Sequence, residues 1–433
     1  MIDKYQAILE KKYIKHTGRI VAVIGLTIES IGPIAKVGDL CRIYSLQTQE
    51  EIYAQVVGFK EHRMLLMPLG NMEGVGPGSI VENTGSQLMV PVGKELLGRV
   101  IDGLGNPIDD KGPICVTQQY PLENEPPDPL VRNRIQDKLT LGVKAIDGLL
   151  TVGKGQRMGI FAGSGVGKST LLGMMARNTQ ADINVIGLIG ERGREVREFL
   201  EKDLGEEGLK RSVIIVATSD QPALIRLTAA QTTTAIAEYF RDQGKDVLLM
   251  MDSLTRFAMA QREIGLAIGE PPVSRGYTPS VFAVMPKLLE RAGNAGTGSI
   301  TGLYTVLVDG DDMNEPVADT ARGILDGHIV LSRKLANKNH YPAISILESV
   351  SRVMGDVIDS QQAKNAFLLK KILAVYTEAE DLINIGAYTA GSNPEIDEAI
   401  EKIPKINQFL TQQTLDRIQF EDVIQELEQI ISS

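Results

Sequence analysis

The segment Ala162-Gly163-Ser164-Gly165-Val166-Gly167-Lys168-Ser169 organises everything around it. An apolar run, Arg157–Ala162, precedes it, and a stretch of helical character opens at Lys168. Strand, glycine-rich loop and helix in that order make the setting of a P-loop. The glycines let backbone N–H groups close around phosphate oxygens, and the helix adds the positive end of its dipole. Lys168 is then placed to contact the β- and γ-phosphates, and Ser169 to ligate Mg²⁺. Gly163, Ser164, Gly165, Val166, Gly167 and Thr170 complete the candidate nucleotide contacts. Ala162 stands where the pattern has its first glycine, a position that ends the strand and need not touch phosphate. The bland alternative is a glycine-rich turn followed by a chance Lys-Ser, and the flanking strand and helix argue against it.

Moving outward, Val247-Leu-Leu-Met-Met-Asp252 is an apolar strand ending in a carboxylate. Alone, such an Asp usually caps a helix. Beside a P-loop it reads as a Walker B aspartate that binds Mg²⁺ through water. Ile189-Gly-Glu-Arg-Gly-Arg-Glu-Val-Arg-Glu198 puts Glu191 just past another strand, where it could polarise an attacking water. By itself that stretch would more often be an exposed helix start. Glu348-Ser-Val-Ser-Arg352 follows a late strand. Arg352 is either a surface residue or, in a ring, an arginine finger for a neighbour's site.

The apolar runs Arg157–Ala162, Asn184–Ile189, Ser212–Ala217, Asp246–Met251, Ile300–Val308 and Ala343–Leu347 alternate with helical stretches. That alternation predicts a parallel α/β sheet. Upstream, short Val- and Ile-rich runs between glycines, from Gly18 to about Asn83, predict a small β-barrel or sandwich. Met1 to Lys12 has apolar residues at helical spacing, either a capping helix or a docking helix. Leu88 to Pro113 is rich in turns, and Pro121–Pro129 is extended because its prolines forbid helix. After Ser351 the chain reads as helical: Gln362–Asn384, Pro394–Gln412 and Phe420–Ile431, with Pro394 at a first turn. The expected division is residues 1–85, N-terminal helix and β-barrel; 86–350, P-loop ATPase domain; and 351–433, C-terminal helical domain.

Composition narrows the function. At 433 residues the chain has room for about three domains. Lys and Arg total 45 against 55 Asp and Glu, a net charge of −10, which disfavours general binding of nucleic acid or anionic lipid. With 5% aromatics and no Trp, stacking platforms for single strands are scarce, which weakens a helicase reading. Cys41 and Cys115 cannot build a disulfide framework and read as reduced thiols of a cytosolic protein. No apolar run reaches the length of a membrane span, and Met1–Glu10 lacks the apolar core of a signal peptide.

The motifs together, in this order, resemble the rotary ATPases, and among them the ATPases of type III protein export, the flagellar branch in particular. Leu97-Gly-Arg-Val-Ile-Asp102 with Gly105-Asn-Pro-Ile-Asp109 is similar to the family's join between barrel and nucleotide domain. Gly142-Val-Lys-Ala-Ile-Asp-Gly148, Gly190-Glu-Arg-Gly-Arg-Glu195 and Asp252-Ser-Leu-Thr-Arg-Phe-Ala258 match its motifs around the P-loop, the catalytic glutamate and Walker B. Gly276-Tyr-Thr-Pro-Ser-Val-Phe282, Pro286-Lys-Leu-Leu-Glu-Arg-Ala-Gly293, Val308–Pro316, Ile385–Tyr388 and Gly391–Pro394 look like the export branch rather than ATP synthase.

The resemblance implies an N-terminal β-barrel, a central RecA-like domain and a C-terminal helical domain. It implies a Mg²⁺-dependent ATPase working as a homohexamer, with ATP between protomers. Glu191 becomes the water-activating base, Arg192 lies near the γ-phosphate, Tyr341 stacks on adenine and Arg352 is the trans finger. Arg275–Tyr277 and Lys287–Arg291 would face a central pore. A stator-like regulator would bind the N-terminal helix at Ile2, Tyr5 and Leu9, and a coiled-coil stalk the C-terminal face. The ring would meet a membrane export gate and chaperone–cargo complexes from the cytoplasmic side. The rival readings are an injectisome ATPase, an ATP synthase subunit needing a different partner chain, a nucleic-acid motor, and a scaffold with structural ATP only.

Overall fold

The protein is described by a computed structural model covering residues 16–45, 50–308, 310 and 312–432. The expected Met1–Lys12 helix lies outside the described residues. The barrel closes in the order Thr17–Ile24, Thr27–Ile31, Arg63–Pro68, Glu51–Lys60, Asp39–Tyr44, Ile80–Gln87 and back to the first strand. Closure leaves no free edge. Alternation supplies its interior: along Asp39–Tyr44, Cys41 and Ile43 point in while Arg42 and Tyr44 are partly exposed. Ile20, Ile28, Val56, Leu66 and Val81 complete a small core. The sequence reading misses Thr27–Ile31, a short run whose Thr, Glu and Ser hide its strand character.

The central sheet runs Ile344–Ser351, Gly327–Leu331, Arg157–Ala162, Ser299–Leu307, Asp246–Asp252, Ile183–Ile189, Ser212–Ala217, Val100–Asp102. Its central strands are parallel, as expected of apolar runs buried on both faces; every residue of Ile183–Ile189 and Ser212–Ala217 is buried. Two corrections concern the edges. Ile344–Ser351 runs antiparallel to Gly327–Leu331, a strand the sequence reading leaves out. Val100–Asp102, inside the turn-rich segment, adds a parallel strand at the other edge.

The two sheet faces carry separate cores. On one, helices Ala223–Asp242, Leu254–Ile268 and Pro279–Glu290 contribute Phe240, Phe257, Val281 and Met285. On the other, the P-loop helix Lys168–Asn178 contributes Leu171, Leu172 and Met175. Leu369, Ile406, Phe409, Val423 and Leu427, from the C-terminal helices Ser360–Asn384, Pro394–Leu410 and Phe420–Ser432, join that same core. Each such fully buried side chain contributes roughly 1.5–3 kcal/mol. The C-terminal helices therefore pack on the P-loop side of the sheet rather than around a core of their own. The first two of these helices are capped, by Asp359, which accepts from Gln362 N–H, and by Asn393, with Pro394 in the first turn.

Candidate nucleotide site at the carboxyl edge of the sheet

The P-loop leaves the sheet after Ala162 and turns into its helix through Gly167, whose φ of 88° is the left-handed conformation that favours glycine. Ser164, Gly165 and Ser169 are exposed, while Val166 is buried beneath the loop. Burial raises the pKa of the Asp203 carboxyl, and the nearby Thr170 hydroxyl opposes the rise. The first turn of the eleven-residue helix thus opens to solvent with backbone N–H groups available for phosphate.

Sheet order then assembles the chemistry. The strands ending at Ala162, Leu307, Asp252 and Ile189 are consecutive neighbours. Their carboxyl ends bring together Lys168, Thr305, Asp252 and Glu191. Lys168 Nζ donates to Asp252 Oδ1 and lies 3.5 Å from Glu191 Oε1. Asp252 is buried, and Thr305 Oγ1 donates a 2.7 Å hydrogen bond to its Oδ1. Burial works against the Lys168 ammonium, but the charges of Asp252 and Glu191 outweigh it and hold its pKa above the ordinary lysine value. Glu191 is pushed up to about 7 by burial and then by the Asp252 charge, with Lys168 opposing. A glutamate poised near neutrality beside a P-loop can accept a proton from water.

Glu191 is delivered by a tight turn. Gly190 has φ 72°, and a Cβ there would sit 2.9 Å from the Cβ of Arg256, so the turn and the Leu254–Ile268 helix need glycine. Arg256 Nε is buried with no hydrogen-bond partner. Arg256 lies in the quoted Asp252–Ala258 motif but is not singled out by sequence reasoning. Thr305 is also missed, because a threonine inside an apolar strand gives no signal of its own.

Three expected site residues lie outside this cluster. Arg192 is 79% exposed at its side chain and pairs with Glu195 at 3.6 Å. Tyr341, 41% exposed, lies against the P-loop: a Cβ on Gly167 would be 3.4 Å from its ring. Arg352 is exposed, and its guanidinium donates to the Arg322 carbonyl at 3.3 Å. Register separates the last two. Ile344 pairs with Leu331 beside the P-loop end of the sheet, whereas Ser351 pairs with Gly327 at the opposite end. Four residues of strand, about 13 Å, divide those levels.

The expectation that Lys287–Arg291 and Arg275–Tyr277 face a pore is corrected in part. Arg291 is buried in a bidentate pair with Glu238, at 2.9 and 2.8 Å, and Tyr277 is buried under Arg262. Lys287 and Arg275 are exposed. Arg291 is drawn inward because the fully buried Glu238 needs a cation.

No cluster of three or more metal-ligating His, Cys, Asp or Glu side chains exists among the described residues. The oxygens available are the Asp252 carboxylate and the Ser169 hydroxyl. This sparse, hard-oxygen set suits Mg²⁺, which is usually held by one or two protein oxygens together with substrate phosphates and water. Among the described residues, no helix is long and apolar enough to cross a membrane.

Comparison with known proteins agrees with this fold. Residues 142–351 match the nucleotide-binding domain of the ATP synthase alpha/beta family, and residues 20–85 match that family's beta-barrel domain. Residues 358–429 match the C-terminal domain of the T3SS EscN ATPase. The flagellum-specific ATP synthase of Bacillus subtilis is 60% identical over 92% of each chain. The assembled ATPase EscN of the enteropathogenic E. coli type III secretion system superposes with a TM-score of 0.91 at 49% identity, covering 96% of this chain and 100% of that one. EscN in complex with its central stalk EscO gives 0.88 at 48% identity over the same shares. Fold and site define a P-loop ATPase built on the ATP synthase alpha/beta plan. Within that class, the chain belongs to the family of flagellum-specific and type III secretion ATPases.

Proposed function

We propose that the chain hydrolyses Mg²⁺-bound ATP at the protomer interfaces of a homohexameric ring and serves flagellar-type protein export. The observation that carries this reading is the split of the site. Lys168, Glu191 and Asp252 converge at the carboxyl edge of the sheet, whereas Arg352 lies at the opposite level of the edge strand. Arg352 is thereby suited to a neighbour's nucleotide and not to its own. The P-loop backbone holds the phosphates, and Lys168 turns from the two carboxylates towards the β- and γ-phosphates. Ser169 and Asp252 would hold the metal, which when bound would neutralise phosphate charge. Glu191 takes the proton of the attacking water, Arg192 swings in from the surface to the γ-phosphate, and Tyr341 stacks on the base. The partner's finger stabilises the transition state.

The 60% identity to a flagellar relative supports the flagellar branch over the injectisome. The solved EscN–EscO complex supports a central stalk partner, and its place at the C-terminal face follows from family likeness. The regulator at Ile2, Tyr5 and Leu9, the export gate, chaperone–cargo complexes and peripheral placement at the cytoplasmic side of the membrane follow from family likeness. The test is ATP turnover against protein concentration for wild type and Arg352→Ala. Turnover that rises cooperatively and collapses in the variant, with ring formation intact, supports shared sites. Concentration-independent turnover, unchanged by the substitution, overturns the ring mechanism.

A further inference from the structure

We propose that Gln412 is a positioning residue: it fixes Tyr341 against the P-loop and so links nucleotide binding to the C-terminal helices. The proposal rests on the reading that Tyr341 receives the base. Gln412 follows helix Pro394–Leu410 and is 6% exposed. Its backbone N–H donates to the Tyr341 carbonyl at 3.0 Å. Its side-chain amide is held from both sides: Nε2 donates to Gly142 O at 2.9 Å, and Oε1 accepts from Lys144 N–H at 3.0 Å. Lys144 opens the short helix Lys144–Leu149, whose preceding residue, Val143, supplies no side-chain cap. Gln412 thus caps that helix from 268 residues away in sequence. A clamped side chain fixes its own backbone, and that backbone fixes Tyr341.

The same segment grips the far end of the P-loop helix. Arg177 Nη2 donates to Thr414 O at 2.6 Å, and Asn178 Nδ2 donates to Asp416 O at 3.2 Å. The connection between the last two helices therefore touches the P-loop helix at its end and, through Tyr341, its beginning. A shift of the C-terminal helices moves Tyr341 relative to Gly167, and a base bound on Tyr341 resists that shift. Coupling between sites is reciprocal by thermodynamic necessity.

The experiment uses the full chain, which contains no Trp. Tyr341→Trp then places a single indole emitter at the proposed base site, read by titration with a nonhydrolysable ATP analogue. In that background Gln412→Met, which keeps bulk but removes both amide bonds, should weaken analogue binding roughly tenfold. Gln412→Glu, which keeps the acceptor for Lys144 N–H, is the second variant should the first not fold. Arg417→Ala, an exposed change on the same segment, should leave affinity within about twofold. With Tyr341→Ala, the ATP KM should be moved less than about twofold by Gln412→Met, because the residue it positions is gone. An indole that ignores nucleotide overturns the base reading and the proposal with it. An indole that responds, with affinity untouched by the Gln412 variants, overturns the role of Gln412 alone. An equal KM increase with and without Tyr341 does the same, because it marks Gln412 as general packing.

Discussion

Thr305 Oγ1 donates to the same Asp252 oxygen that accepts from Lys168 Nζ. The carboxylate is therefore oriented from inside the sheet by a hydroxyl fully buried on a neighbouring strand. In the proposed cycle, orientation from behind would keep Asp252 directed once Lys168 turns to phosphate.

Thr305→Val keeps the shape and removes that bond. A hydrogen bond to a charged group contributes about 1.5–3 kcal/mol, so turnover should fall roughly tenfold or more, with a higher Mg²⁺ requirement. Thr305→Ser should retain most activity. A magnesium titration of ATPase rate checks both, and identical wild-type and Val curves would refute the orientation role.

Glu191 sits near pH 7 because burial and Asp252 both disfavour its charge. A base works deprotonated, so kcat/KM should rise with pH between about 6 and 8 and then level off. The stability sign is opposite. A carboxyl raised in the folded state contributes stability fully present below the unfolded value near 4.5 and lost as pH rises through about 7. Glu191→Gln should abolish turnover, keep ATP binding and melt higher than wild type at pH 8. A flat kcat/KM profile, or a Gln variant that turns over normally, would remove Glu191 from the base role.

Arg352 and Glu191 act on different sites if rings form as proposed. Glu191→Gln and Arg352→Ala chains, each nearly inactive alone, should complement when mixed before assembly. Random mixing of equal amounts places an intact Glu191 opposite an intact Arg352 at about a quarter of the interfaces of a cyclic ring. Recovered turnover near that fraction is the expected reading. No recovery in demonstrably mixed rings would mean that the two residues serve one chain's site.

The Glu238–Arg291 pair is fully buried, and Arg291 also donates to Leu122 O at 2.7 Å, tying the extended Pro121–Pro129 segment to the sheet's helical layer. Arg291→Met leaves a buried carboxylate unpaired, at a cost of about 3–5 kcal/mol. Adding Glu238→Met should restore most of that loss. Urea unfolding of the single and double variants decides; a single variant as stable as wild type would show the pair to be dispensable.

Local signals read well where they are contiguous. The P-loop announces itself by its glycines between strand and helix, whereas Asp252 is read only beside that loop and Glu191 only through the family resemblance. The parallel sheet is legible because strands buried on both faces are uniformly apolar. Thr27–Ile31, Gly327–Leu331 and Val100–Asp102 are not, since short or polar strands depend on neighbours for their pairing. Thr305 and Gln412 are invisible for another reason. Their importance lies in partners 53 and 270 residues away, and no local pattern encodes those distances. Arg291 reads as surface charge until the buried Glu238 is placed beside it.

The antiparallel edge strand Ile344–Ser351 has Tyr341 just before its start and Arg352 just after its end. Its pairing with Gly327–Leu331 slips register between Val330 and His328, so its two paired ends lie four partner residues, about 13 Å, apart. In the ring proposed above, that strand would join consecutive active sites, with the base of one nucleotide at one tip and the phosphates of the next at the other. Because both ends of the strand are bonded to the same partner strand, a displacement at either tip is borne by that pair. Neighbouring sites of the proposed ring would then share one strand as their physical link.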